Sequence, residues 1–162
     1  MLRFVARPKM LTTGDRVNGW YVQMEIRKKG SPLGARLEFK VDTGADLTVA
    51  PLSVAPSLGL NPSDIKRNCQ KISIGTASGH SLLAFIQEVE FHLDDDYLGW
   101  AEWIGKVAFC DPDPAHCCAG KLGFLQFLRF ADLGPYFLLD PIVNFPGRVQ
   151  CSTPRQGPAS PP

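Results

Sequence analysis

Phe39-Lys-Val-Asp-Thr-Gly-Ala-Asp-Leu-Thr-Val-Ala-Pro51 is the stretch that decides the reading of this chain. An apolar strand runs into Asp42-Thr43-Gly44 and then resumes as a second β-prone run. The first strand starts upstream, because Ala35 to Val41 alternates, with Leu37, Phe39 and Val41 against Arg36, Glu38 and Lys40. A period of two puts these sets on opposite faces of a half-buried strand.

Outward from there the same period recurs. Glu88-Val-Glu-Phe-His-Leu93 alternates, Trp20 to Ile26 is rich in β-formers, and Lys29-Gly-Ser-Pro32 reads as a turn between two such runs. Short strands and polar turns dominate to about residue 110. Helical signals are few: Ser53 to Leu60 suits a short turn of helix, and Leu122, Leu125 and Leu128, at spacing three, predict another. The expected class is therefore all-β, with one or two short helices. The expected organisation is an N-terminal extension over 1–16, one domain over 17–149, and a disordered Pro-rich tail over 150–162, where little apolar surface is available to bury.

At 162 residues, with 44% hydrophobic and 20% charged residues, the composition is that of one globular domain with a real core. The net charge of +1 includes no basic stripe beyond Arg27-Lys28-Lys29, so nucleic acid is not expected as a partner. No apolar stretch approaches the length of a membrane span, and Arg3, Arg7, Pro8 and Lys9 interrupt any secretory leader, so no membrane association and a cytoplasmic location are expected. Five cysteines at 69, 110, 117, 118 and 151 form no obvious disulfide framework and read as reduced thiols.

Three features together make this chain resemble the retropepsin-like aspartic proteases. Asp42-Thr43-Gly44 lies between two strands and continues as Ala45-Asp46-Leu47-Thr48. Lys71-Ile-Ser-Ile-Gly-Thr-Ala-Ser-Gly-His-Ser-Leu-Leu83 is similar to the family's flap hairpin, with Ile74, Gly75, Thr76, Ala77, Ser78 and Gly79 at its tip. Leu122-Gly123, followed by Phe124 to Phe130, resembles the hydrophobic-Gly step and short helix beneath the active site. Phe124 stands where viral members often carry an Arg, so the resemblance supplies no partner for Asp46.

The resemblance implies a closed β barrel and a homodimer. The chain has no second Asp-Thr-Gly, so each subunit would supply one carboxylate, Asp42. Two carboxylates a few Å apart share one proton, because both cannot ionise cheaply. The ionised one would activate a water toward the scissile carbonyl while the protonated one stabilises the oxyanion, with neither metal nor cofactor. Thr43 would tie the two loops together, Gly44 would bring its amide to the carboxylate where a Cβ crowds the turn, and Ala45 would support the loop. The flap would close over an extended polypeptide substrate. The alternative is the same fold without activity, as a dimerisation or peptide-binding module.

Other candidates are weaker. Cys110, Asp111, Asp113, His116, Cys117 and Cys118 cluster in sequence but lack Cys-x-x-Cys spacing, so a Pro-kinked loop with partly buried thiols is preferred to zinc. Asp94-Asp95-Asp96 lacks the Gly and Glu of a calcium loop and reads as a solvated turn. His80 and His92 read as surface residues, and Trp20, Trp100 and Trp103 as core or interface.

Overall fold

A computed structural model of the chain describes residues 1–10, 12–75 and 79–151. The protein is mostly β. Its strands are β1 (Leu2–Val5), β2 (Arg7–Met10), β3 (Arg16–Gly19), β4 (Tyr21–Arg27), β5 (Gly34–Val41), β6 (Val49–Pro51), β7 (Gln70–Gly75), β8 (Ser81–Asp94), β9 (Trp100–Asp111), β10 (Cys117–Ala119), β11 (Leu128–Asp132), β12 (Tyr136–Pro141) and β13 (Arg148–Gln150). A 3-10 segment over Leu52–Leu58 and a helix α1 over Pro62–Asn68 follow β6. Among the described residues, no helix is long and apolar enough to cross a membrane.

Alternation sets the faces of the central strands. Val22, Met24 and Ile26 of β4, Phe39 and Val41 of β5, and Val89, Phe91 and Leu93 of β8 are buried together, while their neighbours turn outward. The pairings run β4 to β5, β5 to β10, β10 to β6, β6 to β9, β9 to β8 and β8 back to β4. The β5–β10 and β6–β9 contacts are parallel and the other four antiparallel. The β8–β9 hairpin is the longest, in register from Leu83 opposite Asp111 to Asp94 opposite Trp100.

A second sheet, ordered β1-β12-β11, packs into the same core. Leu2 faces Leu139 and Phe4 faces Phe137 across the ladder, and the rings of Phe4 and Phe137 stack 5.1 Å apart. The segment 1–16 thus carries three buried core residues, Leu2, Phe4 and Ala6, and then β2, which pairs with β3 in an exposed ribbon. Of the 150–162 segment, Gln150 closes β13, and 152–162 lie outside the described residues.

The 3-10 segment occupies the expected Ser53–Leu60 region. The helix expected over Leu122–Arg129 is instead a hydrogen-bonded turn, with Leu125 N donating to Gly120 O, Gln126 N to Lys121 O and Phe127 N to Phe124 O, each at 2.9 Å. Gly123 sits at φ +93°, outside the range of a right-handed helix, and from Leu128 the chain pairs with β12. Phe124 and Leu128 are buried through this turn, which is why the apolar spacing imitates a helix. The helix actually present, α1, carries local signals of its own. Asn61 Oδ1 caps Ser63 N at 2.9 Å, Pro62 begins the first turn, Asp64 follows, and Lys66 and Arg67 end the helix.

Candidate active site

β5 ends at Val41, whose amide donates to Trp20 O at 2.8 Å, and the pairing with β10 carries one residue further, with Asp42 N donating to Ala119 O at 3.1 Å. The chain then turns tightly, with Ala45 N on Asp42 O at 3.2 Å and Gly44 N on Asp42 Oδ1 at 2.9 Å. Asp42 is half-buried while Thr43 and Gly44 are exposed, so the carboxylate is held by its own turn at the surface. A Cβ on Gly44 would lie 3.3 Å from Asp42 Oδ1, tight by a few tenths of an ångström rather than forbidden.

From Ala45 the loop runs beside the segment that follows β10. Lys121 N bonds Ala45 O and Leu122 N bonds Asp46 O, both at 2.9 Å, and Thr48 N bonds Leu122 O at 3.0 Å. Gly120 lies so close to the loop that a Cβ there would stand 2.3 Å from Leu47 O, a position only glycine tolerates. Lys121 Nζ reaches Asp46 Oδ1 at 3.1 Å, so the cation beside Asp46 comes from the residue before Leu122-Gly123 rather than from the one after it.

Across the sheet, β7 and β8 form the expected hairpin, with Ile74 opposite Leu82 and Gly75 opposite Ser81. Gly79 adopts φ +80°, a left-handed conformation suited to glycine, whereas Thr76, Ala77 and Ser78 lie outside the described residues. Half-buried Ile72, Ile74, Leu82 and Ile86 of this hairpin share an apolar cluster with Leu47 and Val49, which follow Asp42 in the chain. The hairpin stem and the Asp42 loop are therefore joined by one partly open apolar surface, which suits an extended chain bearing apolar side chains.

The cysteine-rich segment splits up. Cys110, Cys117 and Cys118 are buried, and burial pushes each thiol up to about 11, with the Asp42 charge adding to the rise at Cys118. His116 is exposed, Asp113 Oδ1 accepts Ser53 N at 3.2 Å, and Asp111 pairs with Lys66 at 2.5 Å. Among the described residues, no three His, Cys, Asp or Glu side chains converge as metal ligands do. The acidic run at 94–96 organises backbone. Asp95 Oδ1 accepts the amides of Tyr97 and Gly99, Asp95 Oδ2 that of Arg3, and Asp96 Oδ2 that of Val5.

One further cluster has no signature in the sequence. His92 is half-buried, with Nδ1 3.0 Å from Glu102 Oε1 and Nε2 3.0 Å from Asp94 Oδ1, and Arg148 Nη2 is 2.6 Å from Glu102 Oε2. Burial works to raise the Glu102 carboxyl, but hydrogen bonds from Arg148 and His92 hold it below the usual range. His92, Glu102 and Arg148, with Arg27, Glu90 and Ile104, line a cavity of about 370 Å³ that includes none of the residues singled out around Asp42. Only the cross-strand register of His92 with Glu102 reveals the cluster, and that register depends on the turn between β8 and β9. No family model matches the chain, and no curated protein matches it.

Proposed function

We propose that this protein is an aspartic endopeptidase of the retropepsin type, active as a homodimer in which the two Asp42 carboxylates meet across a two-fold axis. The observation that carries the reading is the seat of Asp42. Asp42 is half-buried just beyond a core strand, its carboxylate accepting Gly44 N and its amide donating to Ala119 O, beside an apolar surface shared with a glycine-tipped hairpin. The circuit of pairings through β4, β5, β10, β6, β9 and β8 supports a closed barrel. One Asp42 per chain and an exposed Thr43 support assembly from two copies. The five free cysteines, three of them buried, suit the reducing cytoplasm.

In this reading the paired carboxylates share a proton. The ionised one takes a proton from a water that attacks the peptide carbonyl, and the protonated one hydrogen-bonds the developing oxyanion. Asp46, Lys121 and the apolar surface flank the bound polypeptide. The test is cleavage of casein over about pH 3 to 7 by protein shown to be dimeric, with and without a statine-type transition-state mimic. Wild-type cleavage that is lost in Asp42→Asn and blocked by the mimic supports the proposal. A folded dimer inert at every pH leaves the same fold as a peptide-binding or dimerisation module.

A further inference from the structure

We propose that Thr48 is a positioning residue for Asp42, acting through Gly120 and Ala119; the inference rests on the endopeptidase reading above. Thr48 is the one polar side chain fully buried among the described residues. A buried hydroxyl costs free energy unless it is hydrogen-bonded, and packing alone would be served as well by valine, which has the same shape. The hydroxyl has a specific partner: Gly120 N donates to Thr48 Oγ1 at 3.2 Å, and Oγ1 lies 3.5 Å from Gly120 O, a long return contact.

The main chain of Thr48 is held on both sides, its amide on Leu122 O at 3.0 Å and its carbonyl accepting Ala108 N at 2.8 Å. The side chain therefore starts from a fixed point. Gly120 is confined by Leu47 O and Ala45 O, each within 2.8 Å of where a Cβ would stand, so it cannot be stiffened by a side chain of its own. Its neighbour Ala119 carries the carbonyl that receives Asp42 N, and Ala119 also stands opposite Val41 in the parallel ladder. Thr48 thus clips Gly120, Gly120 sets the plane of the Ala119 carbonyl, and that carbonyl sets where β5 releases Asp42. Where two carboxylates must meet across an axis, small displacements of this kind reduce turnover rather than binding.

The test compares wild type with Thr48→Val, which keeps the shape and removes the hydroxyl, and Thr48→Ser, which keeps the hydroxyl. Kinetics are read where circular dichroism shows each protein folded, alongside the 13C resonance of the labelled Asp42 carboxyl. The expected result is a fall in kcat of about ten- to a hundredfold in Thr48→Val, with KM within about twofold and recovery in Thr48→Ser. The Asp42 resonance should move in Thr48→Val alone. A folded Thr48→Val with wild-type kcat and an unmoved Asp42 resonance overturns the inference. Wild type without activity would sink the endopeptidase reading, and the Asp42 resonance then decides the positioning claim by itself. Should Thr48→Val not fold, amide exchange in wild type decides: protection of Gly120 and Asp42 like that of the core strands supports the clip, and rapid exchange at Gly120 refutes it.

Discussion

Lys121 Nζ lies 3.1 Å from Asp46 Oδ1, joining the segment after β10 to the loop after Asp42. Both side chains are largely exposed, at 59% and 86%, so water screens most of the attraction. Replacing Lys121 with Met should change unfolding free energy in urea by less than about 0.5 kcal/mol. A loss several times larger would mean that the pair is shielded in solution, as burial between two subunits would make it.

Phe4 is buried and stacked on Phe137, so Phe4→Ala should cost about 3–5 kcal/mol, measured by chemical denaturation. A cost near zero would place β1 outside the cooperative core.

Gly123 combines φ +93° with a Cβ position 2.0 Å from Lys106 O. Backbone must shift to admit any side chain, and Gly123→Ala should lower stability by at least about 2 kcal/mol. The midpoint in guanidinium reports it, and an unchanged midpoint would contradict the turn as it stands here.

Thiol reactivity should follow burial. Cys110, Cys117 and Cys118, each pushed up to about 11, should resist iodoacetamide in the native protein at about pH 8 and react after denaturation, while exposed Cys151 is alkylated first. Mass spectrometry of peptides from timed labelling checks the order, which would be wrong if Cys118 reacted as fast as Cys151.

Glu25 is held below the usual carboxylate range by its two hydrogen bonds from Arg27, at 2.8 Å each. A depressed carboxyl stabilises the fold above its unfolded value and loses that contribution as pH falls through the folded one. Glu25→Gln should therefore be less stable than wild type at about pH 7 and should converge with it at about pH 2. Curves that remain apart in acid would assign the loss to packing.

Strands whose alternation is uninterrupted, β4, β5 and the end of β8, were legible from sequence because one face meets the core and the other meets water. β1 was obscured by Arg3, which is simply its outward residue and lies over the Tyr136 ring at 4.0 Å. Leu2 and Phe4 on either side of it carry the period-two signal. The turn at 122–127 imitates a helix in sequence because inward-facing apolar residues recur at spacing three in a turn as well as in a helix. Around the candidate site, the position of Asp42 and the flap-like hairpin could be read locally. The roles of Thr48 and Lys121 could not, since each acts on a segment more than seventy residues away in sequence.

The pairing of β1 with β12 has a consequence for how the protein is made. Until Tyr136–Pro141 has left the ribosome, Leu2 and Phe4 have no strand to lie beside and no Phe137 or Leu139 to cover them. Contacts between residues so far apart in the chain form late and slowly, and apolar side chains that wait for them are exposed to misassociation. Leu2 and Phe4 thus wait through the synthesis of more than a hundred further residues before the strand that shelters them exists.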